Sequence, residues 1–443
     1  MNIQLSDHFT YSKLFRFTVP SIVMILFISI YDVVDGFFVS NLIGSTALAA
    51  IGIIFPFWMI LGAFGFMLGT GGSALVAKTL GEGDNLKANK IFSLIIYSTV
   101  ITGIVLVLCG LVLLKPLLFF LGTKDNLTEI CLTYGYITIP GVLFMMLQFV
   151  FQSFFITAER PKLGLFVTVL SGIINLLLDV VFIIFFHWGM AGAAWATVFS
   201  QFVGGVIPLI YFALPNSTQL HLGKTKLYFK DLLKAYSNGL SEFLTHISIS
   251  IGGTLYNYQL LKNIGESGVV AYSIIGYINF IFLATFLGYN SGCAPIVSYH
   301  YGAKNYSELK NLFSKSLKLT ACAGLFLFLF AEFSAPLLVK IFVSYDQNLL
   351  DLTVHSLRIC AIAFLLIGFN IFASAFFTAL NNGIVSAIIS TVRIFVFECS
   401  CVMILPIFFG VNGIWSSITV AQILALMVSS YFLITLRHRY KYI

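Results

Sequence analysis

Apolar residues fill this chain in runs of about 20 or more, separated by short segments carrying glycine, asparagine, lysine and acidic residues. Each run is long enough to cross a roughly 30 Å hydrocarbon core as a helix. The pattern predicts twelve membrane-spanning helices, over 12–38, 47–77, 91–114, 129–156, 164–186, 190–213, 233–261, 268–298, 316–339, 353–379, 384–409 and 412–436. The first run is too long for the apolar stretch of a signal peptide and lacks a small-residue cleavage context, so it reads as a permanent first helix.

Shifted by 221 residues, the chain matches itself without gaps. Gly44 falls on Gly265, Ala50 on Ala271, Gly71 on Gly292 and Val76 on Val297. The stretch from Gly81-Glu82-Gly83-Asp84-Asn85 to Phe92 falls on Gly302-Ala303-Lys304-Asn305-Tyr306 to Phe313. Further on, Phe155-Ile156-Thr157-Ala158 falls on Phe376-Phe377-Thr378-Ala379, Gly192 on Gly413, and Gln201 on Gln422. One constant offset, close to half of 443, predicts two copies of a six-helix unit. An even number of spans gives both copies the same orientation. The expected division is an N-lobe over 1–213, a linker over 214–232 and a C-lobe over 233–443. Two parallel halves around a cleft are a recurring plan of secondary transporters.

Composition excludes other classes. Hydrophobic residues make up 59% of the chain and charged residues 9%, against about 25% charged in soluble domains. A soluble enzyme and a nucleic-acid-binding module are both excluded as expectations; the environment is a lipid bilayer. With both termini placed in the cytoplasm, 18 lysines and arginines fall on the inner side and 4 on the outer side. Positive residues resist translocation, so this split predicts a multi-pass protein of the cell membrane with both ends inside. The seven cysteines lie mostly within spans and form no CxxC framework, so Cys399-Ser-Cys401 reads as small packing residues.

Ionisable side chains in hydrocarbon are costly unless paired or hydrated, and each is a functional-site hypothesis. Span 1 carries Asp32 and Asp35, and span 5 carries Asn175 and Asp179 on one face at i,i+4 spacing. At 1.5 Å per residue, Asp179 lies about 10 Å from the outer end of span 5. Asp35 and Thr197 of span 6 fall at a similar level. The convergence predicts a site for Na⁺, through the oxygens of Asp35, Asn175 and Asp179, or for H⁺ on a buried carboxyl pair. Asp32 has two readings, as a member of this set or as a residue facing a watery vestibule.

The second half lacks the acid pair: positions 35 and 179 map to Tyr256 and Ser400. It carries Glu242 in span 7, and Arg393 and Glu398 in span 11. Glu242 and Arg393 sit at matched depth and predict an intramembrane ion pair of structural or substrate-binding use. Pro20, fifteen residues before Asp35, removes a helical hydrogen bond and is a candidate bending point. Phe57, Trp58, Met59, Met145, Met146, Phe149, Tyr277 and Phe280 are candidates to line the cleft.

Tyr31-Asp32-Val33-Val34-Asp35-Gly36-Phe37-Phe38-Val39, with Gly44 and Ala47-Leu48-Ala49-Ala50, resembles the first-helix signature of the multidrug and toxic compound extrusion (MATE) family. Gly81-Glu82-Gly83-Asp84 and Gly302-Ala303-Lys304-Asn305 are similar to that family's loops after helices 2 and 8. The resemblance covers the whole chain. It implies an all-α integral membrane protein of twelve helices in two pseudo-symmetric six-helix bundles arranged as a V. It further implies export of amphipathic, often cationic, compounds in exchange for Na⁺ or H⁺, with no cofactor. Family cation-site residues match Asp35, Asn175, Asp179 and Thr197, with Tyr134 or Tyr136 as a helix 4 member, which resembles the DinF-like prokaryotic branch. Glu242 matches a helix 7 glutamate of other members, but span 10 offers Asn370 where they carry an acid.

Two functions compete. The first is a cation-coupled exporter of drugs or metabolites. The second is a lipid-linked saccharide flippase of the same superfamily, which would require several basic residues in the cleft to hold pyrophosphate. An enzyme is not expected: the chain has no HExxH, no Walker A motif and no nucleophile–base pair. A monomer without soluble or nucleic-acid partners is expected.

Overall fold

The computed structural model describes residues 3–443 apart from 122, 124, 344 and 345, and the side chains of these except 32, 33, 37, 40, 41, 45, 48, 125 and 126. The fold is all helical. In order, α1 (Tyr11–Leu42), α2 (Ser45–Gly81), α3 (Asn85–Phe120), α4 (Asp125–Thr157), α5 (Pro161–Asp179) and α6 (Gly189–Ala213) make the first bundle. The second comprises α7 (Phe229–Asn263), α8 (Glu266–Gly302), α9 (Tyr306–Phe342), α10 (Gln347–Ala361), α11 (Phe364–Ala379), α12 (Gly383–Thr391) and α13 (Cys399–Thr435), with a short α14 (Arg437–Tyr440). Wide π turns continue α5 over Val180–Phe185 and α12 over Val392–Glu398.

Among the described residues, nine helices are long and apolar enough to cross a membrane, ten if α10 and α11, bent by 49° at their junction, form one span. Two features separate this figure from the twelve predicted spans. Helix α7 carries many serines, threonines and asparagines along its length. The run Gly383–Thr435 counts once over 53 residues, yet would be about 80 Å long if straight. It reverses at Gly410, whose φ of 56° and ψ of −138° are open to glycine and strained for other residues. A Cβ on Gly413 would lie 2.4 Å from the Leu405 carbonyl oxygen, so the chain folds back on itself there.

The 221-residue repeat reappears in the backbone. Positive φ occurs at Gly44 and Gly265, at Gly83 and Lys304, and at Gly189 and Gly410. The repeated loop sequence has a local cause. Asp84 accepts a hydrogen bond from the Lys87 N–H at 2.9 Å, and Asn305 accepts from the Glu308 N–H at 3.1 Å. Each side chain caps the helix it precedes, satisfying a backbone donor that has no partner within the helix.

Between lobes, helices approach so closely that only glycine fits, the mode of association expected where lipid removes the hydrophobic drive. A Cβ on Gly71 would lie 2.1 Å from the Ala235 carbonyl oxygen, and one on Gly239 1.8 Å from that of Met67. The symmetry mate brings Gly288 and Gly292 of α8 against Ile22 and Thr18 of α1. Gly81 meets Tyr299 while Gly302 meets Lys78, each at 2.0 Å by the same measure. Phe64 against Phe243 (4.7 Å) and Phe66 against His246 (4.8 Å) extend the seam to mid-helix. Towards the α1–α2 and α7–α8 loops, the same stripes of α2 and α8 are exposed, at Gly52, Phe55 and Pro56 and at the paired Ser273, Gly276 and Tyr277. The lobes are therefore closed at the end carrying the termini and apart at the other.

Two segments strap the closed end. Residues 3–10 cross from α1 onto α9, where Glu308 accepts from the Phe9 N–H (2.9 Å), His8 Nδ1 (2.6 Å) and Asn311 Nδ2 (2.7 Å). The Leu5 N–H donates to Glu159 Oε1 at 2.7 Å. Burial pushes the Glu159 carboxyl above its ordinary value, and the Leu5 N–H opposes the rise. In the mirrored arrangement, the segment before α7 lies on α3. The His221 N–H donates to Asn89 Oδ1 (2.6 Å), and the Gly223 N–H to Ser93 Oγ (3.0 Å). Hydrogen bonds to a buried charge are worth about 1.5–3 kcal/mol each. Glu308→Ala is therefore expected to free the N-terminal segment, seen as faster proteolysis before Thr10 and a lower Tm of the purified protein.

Candidate cation site

Helices α1 and α5 run side by side in the same direction. Their register is set where Gly172 admits the Phe27 ring: a Cβ there would sit 2.6 Å from Phe27 Cε1. Eight residues further along α1 and seven along α5, Asp35 and Asp179 arrive at the same height and face each other. Asp179 is 0% exposed and Asn175, one turn earlier on the same face, 1%. The π turn begins directly after Asp179; such turns are frequent at functional sites.

The polar atoms here are unpaired. Asp35 Oδ1, both Asp179 oxygens, and Oδ1 and Nδ2 of Asn175 are buried and receive no donor or acceptor among the described residues. Among the described residues neither acid forms an ion pair with a lysine, arginine or histidine; each has the other as its neighbour. Two unit charges of like sign 4 Å apart repel by about 4 kcal/mol at an effective dielectric near 20. A buried carboxylate pair without a base is stable only with a positive charge between its oxygens. Among the described residues no group of three or more His, Cys, Asp and Glu could hold a metal ion. The donor set of two carboxylates and one amide oxygen suits a proton or a weakly held alkali cation.

The other sequence candidates divide. Thr197 is nearly buried on α6, and its hydroxyl donates to the Ala193 carbonyl at 3.0 Å, leaving its oxygen able to accept. Tyr134 packs on the cluster of Val39, Ile183 and Ala193, which are respectively one turn from Asp35, Asp179 and Thr197. Tyr136, two residues on and hence about 200° around the helix, is 46% exposed. The Asp32 side chain lies outside the described residues. Pro20 is buried in α1, which continues through it, about 22 Å before Asp35. One further residue escaped the sequence reading: Gln201, one turn after Thr197, has a buried Oε1 without a partner among the described residues, and its match to Gln422 was the signal available.

In the C-lobe, Arg393 is buried, and among the described residues neither Glu242 nor Glu398 comes within 4 Å of it. The expected Glu242–Arg393 ion pair is therefore not closed in this structure. Among the cleft candidates, Tyr277 and Phe280 are exposed on the α8 stripe. Met145 and Met146 are instead core residues packed with Leu61 and Val142, because Gly62 and Gly65 draw α2 against α4.

The comparisons with known proteins agree with this architecture. The MatE family model matches residues 20–181 and 243–404, one copy in each lobe. The multidrug export protein MepA of Staphylococcus haemolyticus (strain JCSC1435) is 23% identical over 436 residues, covering 97% of this chain and 94% of that protein. MepA of Staphylococcus aureus (strain MSSA476) is 21% identical, covering 97% and 94%. The fold is similar to the outward-facing conformation of a multidrug resistance MATE family transporter of the MOP superfamily. That likeness has a TM-score of 0.91 and 22% identity over 97% of this chain and 96% of the other. With a duplicated family match spanning more than half of its length, the chain belongs to the MatE family, and is a multi-pass membrane transporter rather than an enzyme.

Proposed function

We propose that the chain exports amphipathic, often cationic, drugs or metabolites by alternating access, in exchange for H⁺ or Na⁺ bound at Asp35 and Asp179. The observation that carries this reading is the facing acid pair, whose Asp35 Oδ1 and Asp179 oxygens are buried and receive no donor among the described residues. Such a pair favours whichever lobe arrangement supplies a cation, and a ligand shifts a two-state equilibrium by its differential affinity for the states. The seam, closed at one end and open at the other, is one of the two states, and the opposite arrangement would be the second. Named relatives that are multidrug export proteins support the substrate class.

In this reading the bundles 1–213 and 233–443 rock as units about the linker 214–232, and both termini are cytoplasmic. The open end then faces outward. Pro20 is the bending point of α1, and Asn175, Thr197 and Tyr134 complete the site. The N-lobe set of Asp35, Asn175, Asp179 and Thr197 favours the DinF-like branch. One chain encloses the whole cleft, so a monomer suffices. The flippase reading loses support because Arg393, the basic residue it would need to hold pyrophosphate, is buried.

Reconstitution into vesicles tests the proposal. Uptake of a fluorescent lipophilic cation is expected to follow an imposed H⁺ or Na⁺ gradient of opposite direction. Uptake that ignores both gradients contradicts coupling.

A further inference from the structure

The two straps of the closed end differ in what they show to the outside. Residues 3–10 on α9 and the segment before α7 on α3 make the same crossing. At an offset of 221, Leu5 falls on Lys226 and Phe9 on Lys230. Leu5 and Phe9 are 1% and 0% exposed, sealed into a core shared by both lobes. Lys226 and Lys230 are exposed, and so are the apolar side chains between them: Leu227 is 72% exposed and Phe229 66%. Strapping a helix therefore explains neither the lysines nor the exposed apolar pair.

The segment is fastened on its other side. Beyond the bonds from the His221 and Gly223 N–H groups, the Thr225 hydroxyl donates to the Lys90 carbonyl at 2.9 Å. The Tyr97 hydroxyl donates to the Gly223 carbonyl at 3.1 Å. Tyr236 of α7 continues the attachment, its hydroxyl meeting those of Ser98 (3.1 Å) and Thr102 (2.7 Å) on α3. Thr225 is half-buried, while its neighbours Lys224 and Lys226 are exposed. The Thr225 bond brings exposed Lys90 beside them, with Lys87 one turn earlier on the same face of α3.

Nothing in the protein neutralises this patch. Residues 214–230 contain no acid. Among the described residues none of Lys87, Lys90, Lys224, Lys226 and Lys230 forms an ion pair. The acids of the α2–α3 loop are engaged elsewhere: Glu82 pairs with Lys78 at 3.3 Å, and Asp84 caps α3. Free phosphate or an acidic peptide would satisfy the lysines and leave Leu227 and Phe229 in water. A phospholipid satisfies both, with its headgroup on the ammonium groups and its chains over the apolar pair.

We propose that these five lysines, with Leu227 and Phe229, form a docking surface for anionic phospholipid of the cytoplasmic leaflet. The segment is the covalent join between the lobes, so bound lipid braces α3 of one lobe against the start of α7 of the other. The cytoplasmic placement rests on the reading above; the binding itself does not depend on export.

Titration of the purified full chain in detergent with phosphatidylglycerol, followed by Tm, tests it. The Tm of the wild type is expected to rise with phosphatidylglycerol and to stay level with phosphatidylcholine, because a ligand of the folded state raises its stability. A lysine at an anionic membrane surface is worth about a fivefold preference. Lys224→Gln, Lys226→Gln, Lys230→Gln is therefore expected to need at least ~10 times more lipid for the same rise. Lys304→Gln, Lys310→Gln, Lys318→Gln removes equal charge from α9 and the loop before it, and is expected to leave the midpoint in place. Equal weakening by the two triple variants overturns the site. Leu227→Ser, Phe229→Ser keeps every lysine and is also expected to weaken binding. An unmoved midpoint there, or an equal rise in Tm with inorganic phosphate, overturns the lipid assignment. The topology is read separately, by labelling a Lys226→Cys variant in intact cells with an impermeant reagent. Labelling from outside would overturn the cytoplasmic placement while leaving lipid binding in detergent intact.

Discussion

Asp179→Asn is expected to abolish cation-driven export, lowering gradient-dependent uptake at least ~100-fold, while the protein folds and still binds its substrate. Asparagine matches aspartate in shape, so packing between α1 and α5 is kept. What is lost is the charge and the proton-accepting oxygen. In the wild type this residue is fully buried, with neither oxygen receiving a donor among the described residues. Removing one of two facing carboxylates relieves repulsion, and replacing unpaired buried charge is often neutral or stabilising. The Tm should accordingly stay level or rise as transport fails. Loss of transport together with a fall in Tm would point instead to a structural acid. Asp35→Asn is expected to behave in the same way, because each carboxyl is the other's partner.

The second large effect is at the lobe seam. Gly302→Val is expected to open the closed end and shift the resting population by tenfold or more. A Cβ at 302 would lie 2.0 Å from the Lys78 carbonyl oxygen and 2.8 Å from its carbon. These are backbone atoms and cannot turn aside, so the helices must separate. Overpacking typically costs about 1–3 kcal/mol, and about 1.4 kcal/mol is a factor of ten in an equilibrium. Disulfide formation in a Lys78→Cys, Tyr299→Cys pair reports the closed end directly and is expected to slow. Gly52→Ala is the control, since Gly52 lies on the exposed stripe of α2 with nothing within 4 Å of its added Cβ.

Much of this architecture is legible in the sequence because the bilayer imposes a coarse rule. Run length gave the spans, and the constant offset gave the duplication. The reversal at Gly410 falls in the gap left between the last two predicted spans. The break between α10 and α11 does not show, because Ile362 and Ala363 carry no helix-breaking signal; the turn is made by i→i+3 hydrogen bonds from the Ala363 N–H to the Cys360 carbonyl and from the Leu365 N–H to the Ile362 carbonyl. At the site, i,i+4 spacing placed Asn175 with Asp179, and depth brought Asp35 to them. Rotation about α4 is not encoded in depth, so Tyr134 and Tyr136 could not be told apart. The C-lobe shows a subtler limit. The offset pointed from Asp179 to Ser400, which is exposed, whereas the acid of that segment, Glu398, stands two residues earlier in the π turn. A π turn adds a residue to a helical turn and so changes which side chain faces the partner.

The claim on which the account depends is that Asp35 and Asp179 hold the cation exchanged for substrate. Its most direct test is the cation released when a lipophilic cation is added to purified protein at fixed pH, followed with a pH dye and with radioactive Na⁺. The account predicts that the Asp35→Asn, Asp179→Asn variant releases about one cation fewer per molecule than the wild type. Equal release from both proteins would contradict it.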